Sequence, residues 1–262
     1  MPDPASTCLT GPWSRRRLLE AAAGAAVAAL LPGRALALGD ATRLDIAQLS
    51  LASGTLLRPR AWERLLYEVA QTTSVETLAR APALAPEDPA LFDHPLAVLV
   101  GDGALPALSD EATSRLARYL QYGGFLFVDD ASGLEHSAFD ASVRALCARL
   151  FPTRPLAPLP RDHSLYRAFF LIHHPVGRLA RADWLEGVSV GEVTPLVYCR
   201  DDLSGALDRG DDGRERFPVQ PGGETQRREA IKLGINLVLY ALTSNYKHDI
   251  THVRQLMEEG RL

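Results

Sequence analysis

Two adjacent aspartates, Asp129-Asp130, close the apolar run Phe125-Leu126-Phe127-Val128. They are the most pointed chemical feature of this sequence, because open α/β sheets carry their ligand sites at the carboxyl ends of strands. Asp102 stands between two glycines after an earlier apolar run, Leu96–Val100. If the two runs are neighbouring parallel strands, Asp102 comes near Asp129. Carboxylates around one crevice offer the oxygen ligands that a hard divalent cation takes. His163, in the polar loop Arg161-Asp162-His163, adds a group able to serve as acid, base or ligand. Asp102, Asp129, Asp130 and His163 therefore form the candidate polar site. Asp129, Asp130 and His163 are its candidate metal ligands, and nothing in the pattern requires a cofactor.

Each group also has a plainer use. Neighbours on an extended strand face opposite sides, so both aspartates enter one site only if the strand has already ended. Aspartate equally caps turns and helices. Gly101-Asp102-Gly103 suits a tight turn that needs glycine backbone angles. His173-His174 has no Cys, His or Glu at a ligand spacing. The stretch from Asp208 departs from a calcium loop, with Gly210 at the third position and Val219 at the twelfth. No Walker loop or G-x-G-x-x-G turn is present.

The elements that must position these groups follow from periodicity. Alternation over Thr42–Leu51 predicts a first strand. Pro59, then Trp62, Leu65, Leu66 and Val69, predict a helix. A weak second strand is expected over Val75–Arg80, and Pro82, Pro86 and Pro89 mark a loop. Leu96–Val100 reads as a strand covered on both faces. Ser109 with Asp110 and Glu111 starts a helix that Gly123-Gly124 ends. The strand to Asp130 follows, then a helix from about Ser137 to Leu150. Val188–Cys199 reads as strand, Arg200–Glu224 as a long polar loop, and Thr225–Thr243 as the last strong helix. A short tail helix is expected from His248 to Glu259. Strands alternating with helices predict an α/β fold, a three-layer sandwich with a mostly parallel sheet.

The chain has 262 residues and a net charge of −4, with ordinary globular composition. Its first residues read as an export signal: Arg15-Arg16-Arg17, an apolar run from Ala21 to Leu31, and Ala35-Leu36-Ala37 as a cleavage site. The paired arginines resemble the twin-arginine motif. Residues 1–37 are then a signal peptide and 38–262 a single domain, periplasmic or exported. Without cleavage the apolar run would remain as a membrane anchor, and after cleavage no membrane span is left. The mature chain keeps 24 basic and 30 acidic residues, a net −6 with no basic stripe, which argues against nucleic acid as a partner. Its two cysteines, Cys147 and Cys199, make no disulfide framework.

Several stretches together resemble a bacterial family known as domain of unknown function 4159. They are Leu96–Gly103, Tyr119–Asp130, Phe151–Tyr166, Leu185–Gly187, Leu196–Leu203 and Lys232–Thr243. The resemblance implies a flavodoxin-like sheet similar to that of class I glutamine amidotransferases. In that group a strand after a glycine pair leads to a nucleophilic cysteine in a G-x-C-x-G elbow. Here the corresponding strand leads to Val128-Asp129-Asp130-Ala131, so the resemblance implies no glutamine hydrolysis by a thiolate. Two functions stay open. One is a non-catalytic domain of the cell envelope that binds a small polar ligand or an envelope protein. The other is a hydrolase acting on a carbohydrate or envelope component through Asp and His groups, with or without a divalent cation.

Overall fold

Periodicity is realised most fully in the helix that follows Pro59. Pro59 needs no hydrogen-bond partner at a helix start and opens α1, Pro59–Thr72. Trp62, Leu65, Leu66 and Val69 recur every three or four residues and are all buried. Ser109 caps α2, Asp110–Gln121, by accepting from the Ala112 amide at 3.0 Å. Gly123, at φ 99, turns the chain out of that helix into β4, Phe125–Asp130. Ser137 caps α3, Ala138–Leu150, in the same way, accepting from the Asp140 amide at 2.8 Å.

The computed structural model describes residues 43–51 and 56–258, with side chains up to residue 244. The export signal expected at residues 1–37 lies outside the described residues. The described residues from Arg43 onward belong to one compact unit. Besides β4, the strands are β1 Ala47–Leu49, β2 Ala83–Leu84, β3 Leu96–Gly101, β5 Ala157–Pro158, β6 Glu186–Val190 and β7 Val193–Cys199. They form one sheet in the order β2-β1-β3-β4-β7-β6-β5. Pairing is parallel from β2 through β7 and antiparallel for β6 and β5. The five parallel strands follow the flavodoxin-like doubly wound order.

Alternation along the strands divides the core in two. Ile46, Val98, Phe125, Phe127 and Val197 pack with α1 and with the last helix, α5, Gly223–Glu258. Ala97, Leu99, Leu126, Val128 and Tyr198 pack with α2 and α3. Helices thus cover both faces of an α/β sheet. Each fully buried large apolar side chain contributes about 1.5–3 kcal/mol. Packing is close enough to select glycine: a Cβ on Gly101 would meet the Phe139 ring at 2.1 Å, and one on Gly124 the Tyr119 ring at 2.4 Å.

Four stretches differ from the sequence expectation. The Val75–Arg80 segment contributes only an isolated bridge, Thr77 to Leu44, and β2 forms further on, among the prolines. Val188–Cys199 is not one strand, because Gly191, at φ 61, reverses the chain between β6 and β7. The expected polar loop after Arg200 contains a buried helix, α4, Leu203–Leu207. The last helix runs on through the expected break before His248. Among the described residues no helix is long and apolar enough to cross a membrane.

Candidate functional site at the carboxyl edge of the sheet

Asp129 and Asp130 both lie inside β4, so they point to opposite faces. Asp129 is fully buried on the α1 and α5 side. Its Oδ1 accepts from the Leu203 amide at 2.9 Å and its Oδ2 from the Ser204 amide at 2.7 Å. These are the first free amides of α4, a helix whose five residues are all buried. The next amide, from Gly205, goes to Asp202 at 2.9 Å. Two aspartates thereby satisfy donors that a buried helix start would otherwise leave unpaired. Burial raises the Asp129 pKa to about 7, helped by the nearby charge of Asp202 and opposed by the two amides.

Asp202 is itself held by charge. Arg58 donates to both of its oxygens, at 2.9 and 2.8 Å, and Arg178 bonds the same carboxylate. Arg58 and Asp202 both sit in the left-handed region, at φ 52 and 53, and Arg58 also lies 3.9 Å over the Phe217 ring. A buried carboxylate is tolerable here because two guanidinium groups compensate it.

Asp130 serves the other face. It accepts from the Ser132 amide at 2.8 Å, the Ser137 hydroxyl at 2.6 Å and the Tyr198 hydroxyl at 3.2 Å. It closes the turn after β4 and fixes the cap of α3. Asp102 follows β3 in the expected place and is exposed. It lines a cavity of about 250 Å³ at the ends of β1 and β3, with Gln48, Leu51 and Leu57 among its walls. The Gln48 amide group there already donates to Pro59 O and Ala81 O.

His163 lies at the opposite end of the sheet. Its ring bonds Thr194 Oγ1 at 3.0 Å and accepts from the Leu165 amide at 3.2 Å. Thr194 is the second residue of β7, whereas Asp129 pairs with Cys199 at the end of β7. Five strand residues separate the two positions, about 17 Å along the sheet. Burial lowers the His163 pKa, which favours a neutral ring. The four sequence-derived residues therefore do not converge: Asp129 and Asp130 face apart, Asp102 borders another cavity, and His163 is remote. Among the described residues no group of three or more His, Cys, Asp or Glu side chains is placed to hold a metal ion. His173 and His174 are exposed, and His174 lies 3.8 Å from Asp183.

The cysteines stay chemically quiet. Cys199 lies beside Asp129 across the sheet, but burial and the neighbouring acids Asp129 and Asp201 push its thiol well above the usual range. Burial pushes Cys147 up to about 12. Both are free, and they belong to the cores on opposite faces of the sheet.

The concave feature at the carboxyl edge is a second cavity, of about 640 Å³, lined by Gly133–Glu135, Arg181, Ala182, Trp184 and Arg200. It lies over the ends of β4 and β7. Its volume falls within the usual ligand-pocket range of roughly 300–1,000 Å³, and that of the Asp102 cavity falls below it. Asp201 positions one wall, since its carboxylate accepts from the Arg181 and Ala182 amides at 3.1 and 3.3 Å. Burial raises the Asp201 pKa to about 6, opposed by those amides and by the Arg181 and Arg200 charges. Arg200 is fixed by donating to Glu135 O at 2.5 Å. Trp184 and Leu134 remain exposed at the rim.

Sequence reasoning missed this cavity because its parts are far apart in the chain and match no motif. It also missed α4, although Asp202-Leu203-Ser204-Gly205 offers a cap residue followed by Leu203, Ala206 and Leu207 at helical spacing.

Among curated proteins none matches the chain. A family model described as a domain of unknown function, DUF4159, matches residues 45–242. That span includes β1 through most of α5 and all of the residues built around β4. The chain belongs to the DUF4159 family.

Proposed function

We propose that the protein is a non-catalytic ligand-binding domain of the cell envelope, and that its ligand occupies the cavity over the ends of β4 and β7. The observation that carries this reading is how the strand-end acids are used. Asp129 and Asp130 are bonded to the chain itself, while the open cavity beside them offers arginine and tryptophan side chains. Its lining holds a single carboxylate, Glu135, where hydrolysis with inversion or retention at a sugar would call for a pair. Asp129 takes the place that a cysteine elbow holds in the amidotransferase-like group, and it serves there as a helix anchor.

Export belongs to the same proposal. The signal-like pattern ends at Ala37, and the family match begins downstream of it, at residue 45. Twin-arginine export would carry the domain already folded, and the acids that anchor α4 would be in place before transit.

The test is a thermal-shift screen of the full chain against neutral sugars, peptides, nucleotides and small carboxylates, repeated with Trp184→Ala. Ligand binding raises the melting temperature by mass action. A compound that stabilises the wild type and loses its effect in Trp184→Ala supports the reading. Turnover of a glycoside or ester substrate that disappears in a folded Asp129→Asn variant would overturn it.

A further inference from the structure

We infer that the cavity beside Gly133 selects a small organic oxyanion, a carboxylate or phosphate joined to a flat or apolar group, held by Arg181 and Arg200 against Trp184. This rests on the reading that the cavity is the ligand site, and it adds the chemical class of the ligand.

Charge is the first ground. Two arginines and one glutamate line the cavity, with the Asp201 carboxylate behind the wall, so the arginines are cationic points within it rather than a net positive patch. The two arginines are not equally occupied. Arg200 is half-buried, held by Glu135 O, and its Nε lies 4.0 Å from Asp140. Arg181 is fixed only through its backbone, by Asp201. Among the described residues its guanidinium makes no hydrogen bond or ion pair, and its charge acts on Asp201 from a distance. The side chain that could grip an incoming anion is thus tethered at its base and free at its tip.

The second ground is that two guanidinium groups border one turn. A Cβ at Gly133 would lie 3.4 Å from Arg178 Nη2 and 3.8 Å from Arg181 Nη2. Both guanidinium groups therefore border the same glycine, at ordinary van der Waals range. Arg178 is paired with Asp202, a carboxylate it shares with Arg58. Arg181 makes no ion pair among the described residues, and it lines the cavity. An oxyanion there accepts the paired donors of a guanidinium fork.

The third ground is the rim. Trp184 is 44% exposed and Leu134 60% exposed, both bordering the same space as the two arginines. Indole offers a flat apolar face to the uncharged part of a ligand. Cation and indole side by side recognise an oxyanion on an apolar frame better than a bare ion.

The experiment reads Trp184 emission in the full chain. Trp62 is buried, Trp13 lies outside the described residues, and Trp184→Phe identifies the part of the emission that belongs to Trp184. The probes are benzoate, its neutral isostere benzamide, and inorganic phosphate. Benzoate is expected to change the emission saturably, at a half-saturating concentration at least about tenfold below that of benzamide, the effect of one charge-assisted hydrogen bond. Arg181→Ala should weaken benzoate by about tenfold and leave benzamide unchanged, while Arg181→Lys, which keeps charge but not the fork, falls between. Phosphate should compete with benzoate. Arg181 is exposed, so its variants should fold, and circular dichroism checks this. If benzoate and benzamide bind equally, or if Arg181→Ala leaves benzoate unaffected, selection for an oxyanion fails while the cavity remains a ligand site. If neither anion perturbs Trp184 and the wider screen yields no stabiliser sensitive to Trp184→Ala, both readings fall.

Discussion

The Asp129 carboxylate lies 2.7 Å from the Ser204 amide, which ties the end of β4 to the first turn of α4. That bond, with its partner from Leu203, accounts for an acid inside an otherwise apolar strand. α4 is short and wholly buried, so its amides cannot reach water. A carboxylate on the adjacent strand is a compact way to satisfy two of them at once.

The pH dependence of stability follows from the same group. The Asp129 pKa is raised by folding, from 3.8 to about 7. Folding then binds a proton between those values, so this contribution is complete below the lower one and is lost as pH rises through the higher. The melting-temperature gap between wild type and Asp129→Asn should narrow between about pH 4 and pH 7. A gap that widens over that range would show the carboxylate to be favoured by the fold.

Asp202 should be the costlier acid to remove. It is fully buried, and Asp202→Ala strands Arg58 and Arg178, whose side chains are only 13% and 20% exposed. The expected loss is about 4–5 kcal/mol, read from urea unfolding with an unchanged slope. Arg178→Ala leaves Arg58 doubly bonded to Asp202 and should cost less. Equal losses would mean that the two arginines act as one unit.

Gly101→Ala tests how tightly α3 sits on the sheet. The new methyl would meet Phe139, itself fully buried, at 2.1 Å. The expected loss is about 1–3 kcal/mol, partly recovered when Phe139→Leu is combined with it. Simple additivity of the two substitutions would place the strain elsewhere.

Asn236 is the polar hub of the far end of the fold. From the buried face of α5 it accepts from the Phe169 and Phe170 amides and donates to Leu165 O and Phe170 O. Asn236→Ala leaves those groups unpaired and should cost about 3 kcal/mol. Amide exchange at Phe169 and Phe170 should accelerate more than in the rest of the sheet, as hydrogen-exchange mass spectrometry would read. Unchanged exchange there would show that the loop is held by packing alone.

How much of this was legible depended on how local the determinants are. α1 starts at Pro59, α2 and α3 carry serine caps, all three carry apolar stripes, and β3 and β4 are built on the apolar runs Leu96–Val100 and Phe125–Val128, so these elements can be read directly from the sequence. β2 and β5 are two residues each and exist only because neighbours pair with them. The opposed directions of Asp129 and Asp130 follow from the strand pleat. Their partners do not: Leu203 and Ser204 lie more than seventy residues from Asp129, and Arg58 lies 144 from Asp202. No periodicity encodes such pairs. The cavity with Arg181, Trp184 and Arg200 was hidden for the same reason, since three separate segments build it.

The most direct measurement is the melting temperature of Asp129→Ala. If this acid serves the fold, two buried amides lose their acceptor, at a cost of about 3 kcal/mol, or roughly 6–12 °C for a domain of this size. Ligand-induced stabilisation should persist in the fraction that remains folded. An unchanged melting temperature, together with loss of that stabilisation, would contradict the account and return Asp129 to a chemical site.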